Sequence, residues 1–429
     1  MPQAHQASSP AAAVPLEALS PAEPWRPSTG PSIWFTVAAL VVYRLGTYIP
    51  IPGIDIAAFT EAFEAQSSGI LGMFNMFAGG AVERMAIFAL NIMPYISALI
   101  IMQVATSLVP SLEALKSEGE QGRKQINQCA RYLTVALAAF QAYTIAYWLE
   151  GLDAVVIEPG LFFRITTIVT MVGGTMLLMW LGEQITARGI GNGTSLIIMS
   201  SIVASIPGAL AGLLALSRQG AISWPLLILL FDLMLAVVAA IVFVERAQRR
   251  LMMADPGLQG GTSHLPLKLN CPGLLPPIFA SSLLLLPITM ARFSVGTGAD
   301  WLNAIVVSLG RGQPLYLLIY VALIVFFVFF YTPIVFNPQE AADDLRKHHR
   351  FVPGIRPGTR TAEYIDYVLT RITVIGAIYV AAACVLPEVL FHYAGVPFYF
   401  SGSALFIVVV GMLELWTFTK TLFRLPPAT

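Results

Sequence analysis

The chain has 429 residues, of which 57% are hydrophobic and 11% charged, and its formal net charge is zero. Its mean hydropathy is +0.75. A soluble domain carries about 25% charged residues, so this composition excludes a water-soluble globule and places the chain in a membrane. Three cysteines, Cys129, Cys271 and Cys384, have neither CxxC nor metal spacing, and no disulfide framework is implied.

Residues 1–31, rich in Ala, Pro and Ser, read as a disordered cytoplasmic tail. Nothing before Trp34 has the basic start and short apolar core of a secretory signal, so the first membrane span must direct insertion. A span needs about 20 mostly apolar residues. Ten runs qualify, at roughly 32–50, 85–108, 131–149, 161–182, 192–214, 224–244, 272–291, 314–336, 368–390 and 398–420. They are continuous rather than alternating, which favours helices over a β-barrel. The predicted fold is an all-α polytopic membrane protein with ten transmembrane helices. Residues 32–214 hold spans one to five, and residues 215–429 hold spans six to ten. Cytoplasmic loops are expected at about 245–271 and 337–371. Two halves of five spans would be pseudo-symmetric and inverted.

Lys and Arg set the orientation. With both termini in the cytoplasm, eighteen basic residues fall on that side and four on the other: Arg164, Arg218, Arg292 and Arg311.

In chain order, the first motif is YRLGTYIPIPGID, Tyr43 to Asp55, where Pro50, Pro52 and Gly53 force an extended turn. Arg44 inside the span must face a partner or water, and structural pairing is its expected role. SSGILGMFNMFAGGAVERM, Ser67 to Met85, is too short to span and reads as a re-entrant or interfacial helix. IFALNIMPYISALIIMQ, Ile87 to Gln103, carries Pro94 in its middle, where a kink is expected, and polar Ser97 and Gln103. RGIGNG, Arg188 to Gly193, lies between two spans and reads as a tight turn rather than a nucleotide fingerprint. VFVERAQRR, Val242 to Arg250, and SHLPLKLNCPGLLPPIFASSLLLLP, Ser263 to Pro287, bracket a cytoplasmic loop. Phe336 to Arg371 opens on FNP, centres on GIRPG, ends on YID-VLTR, and carries Arg346, Lys347, Arg350, Arg356, Arg360 and Arg371.

These motifs, spread over about Ser32 to Val410, closely resemble the SecY family, the channel subunits of the bacterial protein translocase. The resemblance implies a protein-conducting channel in the bacterial inner membrane that passes unfolded secretory chains outward and releases membrane proteins sideways. It implies SecE and SecG as companion subunits, with the SecA motor or a ribosome as the driving partner. Ile70, Leu71, Met73, Phe74, Asn75, Met76 and Phe77, with the rest of 70–77, would be the plug. A ring of apolar side chains would close the pore and resist wetting: Ile92, Ile96, Ile198, Ile278 and Ile407, with Thr194 where the family usually has Ile. That hydroxyl should ease hydration of the ring. The lateral gate toward lipid would lie between the helix of Pro94, Ser97 and Gln103 and the helix of Ser281 and Ser282. Ser97 and Gln103 would hydrogen-bond across it for about 0.6 kcal/mol each. Partner-binding residues would be Arg246, Arg249, Arg250, Arg346, Lys347, Arg350, Arg356 and Arg360, with Arg356 foremost.

The chain departs from the family in a basic loop shortened to LMMADPGLQGG (251–261), an N-terminal tail without a basic amphipathic stretch, and a short C-terminal end. The first should weaken ribosome binding more than SecA binding, and together they raise a divergent accessory translocon as an alternative. A small-molecule secondary transporter is the competing class, and it would need polar groups converging at the midplane. No catalytic or metal constellation is present. His5, His264, His348, His349 and His392 share no useful spacing, and no cofactor is expected.

Overall fold

The computed structural model describes residues 29–66, 70–152, 154–220, 223–254, 262–293, 313–347, 351–393 and 402–424. Fourteen helices and one hairpin lie among them. The first half contains α1 (Thr29–Gly46), α2 (Ile56–Gln66), α3 (Ile70–Phe77), α4 (Met93–Leu108), α5 (Pro110–Ser117), α6 (Glu120–Glu150), α7 (Leu161–Arg188) and α8 (Gly193–Arg218). The second contains α9 (Trp224–Glu245), β1 (Gln248–Ala254), β2 (Thr262–Lys268), α10 (Leu275–Phe293), α11 (Pro314–Val335), α12 (Pro338–Lys347), α13 (Thr359–Tyr393) and α14 (Gly402–Arg424). Seven described helices are long and apolar enough to cross a membrane, and three shorter apolar ones occupy the positions of the first, second and seventh expected spans. The chain is a multi-pass membrane protein.

The helices pack around one apolar core. It draws on α1, α4, α8, α10, α11, α13 and α14, and includes Tyr43, Ile96, Ile202, Phe279, Tyr320 and Phe406. A second cluster on the first half gathers Phe59, Phe74, Ala142 and Met171. α9 buries little beyond Leu230 and Ile241, so it runs along the periphery. Arg164 donates through Nε to Glu150 at 2.8 Å, tying the facing ends of α6 and α7.

Four details differ from the sequence expectation. The second span does not start as a helix near residue 85. Residues 78–92 form a series of turns, and α4 begins only at Met93. Pro94 therefore sits in the first turn of α4 rather than at a mid-helix kink. Its missing N–H costs nothing there, because the first amides of a helix have no intrahelical acceptor. Met85 and Asn91 take φ of 42° and 52°, so the preceding backbone is irregular. The loop after α9 contains an antiparallel hairpin, Gln248 opposite Lys268 and Ala254 opposite Thr262, which is added to the otherwise helical fold. The long basic loop is itself partly helical: α12 lies within it, and α13 begins at Thr359 instead of near 368. Proline stays inside α8 (Pro207), α11 (Pro333) and α13 (Pro387) without ending these helices.

The irregular segment is held from both sides. Ile51 N–H bonds Met85 O at 2.9 Å, and Ile87 N–H bonds Ile49 O at 2.9 Å. On the other side α7 comes so close at Gly174 that a Cβ there would stand 2.1 Å from Ile87 O. Gly174→Ala should therefore displace residues 86–88 and destabilise the protein by about 1–3 kcal/mol. Thermal unfolding in detergent would show a lowered midpoint, whereas Gly173→Ala, with open space around it, should leave the midpoint unchanged.

Candidate functional site

Five of the six predicted ring residues come together. Ile92 is the N-cap residue of α4, and Ile96 N–H bonds Ile92 O at 3.1 Å, so the two sit one turn apart. Asn192 starts α8: its side chain accepts the N–H of Thr194 at 3.1 Å and of Ser195 at 3.4 Å. That cap fixes where Ile198 falls. Ile278 enters with the first turn of α10, after Pro276 and Pro277, and Ile407 lies within α14. All five are at most 4% exposed and share one cluster with Phe77, Ile197, Ile202 and Phe279. Thr194 is half-buried and outside that cluster. A Cβ on Gly182 of α7 would lie 3.4 Å from Thr194 Oγ1, so Thr194 packs on α7 at the helix start. It does stand one turn from Ile198 on the same face of α8.

The short helix α3 packs against this cluster. Met76 and Phe77 belong to it, and Phe74 belongs to the second cluster. Asn75 holds the following turn through both amide atoms: Nδ2 donates to Glu83 Oε2 at 3.2 Å, and Oδ1 accepts Glu83 N–H at 3.0 Å. Ile70, Leu71 and Met73 are placed on α3 by the backbone alone, their side chains lying outside the described residues. Arg44 finds its structural partners here. It donates to Gly79 O at 2.6 Å and Tyr48 Oη at 3.2 Å, and its guanidinium stacks 5.1 Å from the Tyr48 ring.

α4 and α10 are in contact, as the gate expectation required, but through other atoms. Ser282 Oγ approaches Met93 Sδ at 3.3 Å and also bonds Ile278 O on its own helix at 2.8 Å. Ser281 Oγ turns instead to Tyr320 Oη of α11 at 3.4 Å. Among the described residues, Ser97 and Gln103 make no side-chain hydrogen bond to α10, and buried Gln103 Oε1 has no partner. Pro94 is buried beside Met93 in the first turn of α4. The physical reason is the helix start: with α4 beginning at Met93, it is Met93 that meets Ser282.

The hairpin after α9 and the basic segment after α11 form a single unit. Leu251 and Leu267 of the hairpin pack on Val368 and Ile372 of α13, while Met253 packs on Leu345 of α12 and Ile365 of α13. Arg246, Arg249, Arg250, Arg346, Lys347, Arg356 and Arg360 are all exposed on this unit, and Arg350 lies outside the described residues. The GIRPG turn has a defined shape. Gly354 and Gly358 take φ of 83° and 106°, which suits glycine. Thr361 Oγ1 donates to Arg356 O at 2.9 Å and is itself buried. The three cysteines are free thiols. Cys271 is buried between β2 and α10, and that burial pushes its thiol up to about 11.

Asn91, Ser201 and Ser205 went unnoticed in the sequence. Each is a polar residue in an apolar run, which was the available signal, and Asn91 and Ser201 are 1% and 0% exposed. Their partners lie far off in sequence, so spacing alone gives them no role.

Comparison with known proteins agrees throughout. A SecY family profile matches residues 86–416. Protein translocase subunit SecY of Rickettsia felis is 50% identical over 401 residues, covering 91% of this chain and 92% of that protein. The SecY subunit of Escherichia coli is 50% identical over 399 residues, covering 90% of each. Among solved structures, a SecY protein described for a plug domain that stabilises the closed channel matches with a TM-score of 0.69 at 17% identity, over 95% of this chain and 96% of that one. A protein-conducting channel matches with 0.62 at 16% identity, over the same shares. These structural likenesses speak for the fold, and the sequence matches speak for descent: the chain belongs to the SecY family of protein translocase subunits.

Proposed function

We propose that the chain forms the membrane pore through which unfolded polypeptide leaves the cytoplasm, closed at rest by Ile92, Ile96, Ile198, Ile278 and Ile407. The observation that carries this reading is their convergence. Isoleucines from α4, α8, α10 and α14 meet in one buried cluster with the short helix α3 packed on it. A narrow apolar constriction resists wetting and so blocks ions, while isoleucine side chains can part around chains of any sequence. A small-molecule transporter would bring polar groups to this point instead. In this reading the chain is a channel and not an enzyme, and α3 acts as the plug. α4 and α10 separate at the Met93–Ser282 contact to release apolar segments into lipid.

The localisation that fits is the bacterial inner membrane with both termini cytoplasmic, as the excess of Lys and Arg favours. The hairpin, α12 and the GIRPG turn then face the cytosol as a platform for SecA or a ribosome. SecE and SecG complete the channel, and the two halves are inverted counterparts. Arg356, held out by the bond from Thr361, is the contact on which motor engagement turns.

Reconstitution with SecE and SecA in liposomes tests this. ATP-dependent protease protection of a secretory precursor is expected, and Arg356→Glu should abolish it. Thr361→Ala should reduce it in part, because losing a bond of about 1 kcal/mol opens the turn about fivefold more often. Protection that survives Arg356→Glu would remove the platform role. Failure to bind SecE would remove the channel reading altogether. Thr194→Ile should lower the resting ion leak in planar bilayers. An unchanged leak would place Thr194 outside the constriction, with α7 as its only neighbour of consequence.

A further inference from the structure

The short helix α3 ends in side-chain donors from three separate elements. The last carbonyls of any helix lack intrahelical partners. Here Phe77 O accepts from Asn91 Nδ2 in the turn before α4 and Gly79 O accepts from Arg44 Nη1 of α1 at 2.6 Å, while Ser205 Oγ of α8 lies 3.4 Å from Met76 O and shares its one proton between that carbonyl and Ser201 O at 3.2 Å. Backbone amides serve the neighbouring carbonyls: Ala78 N–H reaches Phe74 O, Gly79 N–H reaches Met76 O, and Gly80 N–H reaches Asn75 O. No backbone donor reaches Phe77 O or Gly79 O among the described residues, so the side chains serve them. The arginine also meets the negative end of the helix dipole.

The site is built to close tolerances. Gly79 has φ of 66°, and a Cβ there would lie 3.2 Å from Ser201 Cα and 3.1 Å from Tyr43 Oη. Asn91 has φ of 52°, a left-handed conformation that asparagine tolerates better than most residues. Its amide lies a further 3.4 Å from Ser201 Oγ, and Ser201 in turn donates to Ile197 O at 2.7 Å, next to Ile198.

We propose that Asn91, Ser205 and Arg44 are positioning residues that latch α3 in its closed place and set how readily it leaves. The proposal rests on reading α3 as the plug. Apolar contacts of Phe74, Met76 and Phe77 hold the helix in any orientation that buries them. The three donors select one, because a carbonyl moved out of register inside the protein loses its partner and meets no water. Once α3 reaches water the same carbonyls are hydrated, so the latch opposes a small shift by the full cost of an unpaired carbonyl and full displacement by the smaller net value of its hydrogen bonds. Two packed arrangements with little between them make a switch.

The test uses the chain assembled with its channel partners. Asn91→Gly keeps the left-handed backbone and removes the amide; Ser205→Ala removes the hydroxyl. Each should raise the resting leak in planar bilayers roughly two- to tenfold, the fold-change worth one hydrogen bond. Hydrogen exchange of residues 74–81 should quicken by a similar factor while α6 stays as in the parent. Thr170→Ala, whose hydroxyl bonds only Thr166 O on its own helix at 2.7 Å, should match the parent in both. Parent-like leak and exchange in both latch variants would overturn the proposal. So would faster exchange across every helix, which marks a general role in stability. Deleting residues 70–77 separates the two readings. A raised leak there, with silent latch variants, sinks the latch alone, whereas an unmoved leak sinks the plug reading and the latch with it.

Discussion

Backbone that leaves the helix at membrane depth must find every hydrogen bond inside the protein, because lipid offers none. Residues 78–92 do leave the helix, between α3 and α4, and most of this structure is arranged around satisfying them. The turn after Tyr43–Gly46 supplies Ile49 O and the Ile51 amide as a short stretch of pairing, Pro50 against Ala86. α7 gives up a side chain at Gly174 so that Ile87 can approach. α1 supplies Arg44 to Gly79 O, and Ser201 of α8 accepts from the Asn91 side chain. A continuous second span would have needed none of these. It would also have left no short helix free to move independently of α4.

The constriction and its surroundings follow opposite rules. The five isoleucine side chains are wholly apolar and form no directional bond, so they can slide, part and close again at little cost. Around them, polar contacts fix the frame: Asn192 caps the start of α8, and Arg44 and Asn91 hold the carbonyls of Gly79 and Phe77. A soft centre in a rigid frame lets a channel accept many chains and still return to one closed state. The same division explains the gate. Its one contact through a side-chain polar atom among the described residues is serine to methionine sulfur, a weak acceptor, which suits an interface meant to part.

The seven helices long enough to span were legible because each apolar run is long and charge falls at the ends. That the five isoleucines belong together was suggested only by family motifs, since an isoleucine facing lipid and one in a buried cluster look alike in a single sequence. Pro94 misled for a related reason. A proline in the middle of an apolar run suggests a kink, and the run hides the true helix start because residues 86–92 are as apolar as the helix that follows. The hairpin was missed because QRRLMMA and TSHLPLK beside a helix read as loop. Its strands are stabilised by Leu251, Met253 and Leu267 against α12 and α13, partners about 80 or more residues further along. Asn91 was hidden because its value lies in reaching Phe77 O and Ser201.

The unit of hairpin, α12 and GIRPG turn is joined to the isoleucine cluster by one helix. α13 has 35 residues, about 50 Å at the usual rise. It begins just past the GIRPG turn, and its Ala377, Val380 and Cys384 lie in the central core. There it meets α14 with no slack: a Cβ on Gly402 would stand 1.9 Å from Cys384 O. α14 carries Ile407 a turn and a half further on. Packed interiors transmit displacement because they cannot be compressed. A load on the exposed turn at Arg356 is therefore applied to a rod whose far part touches the helix that bears a constriction residue. The hairpin braces the near part of that rod through Val368 and Ile372. Under the proposed roles, this arrangement lets the platform and the pore act as one mechanical body, although among the described residues the isoleucine cluster and the hairpin's clusters share no side chain.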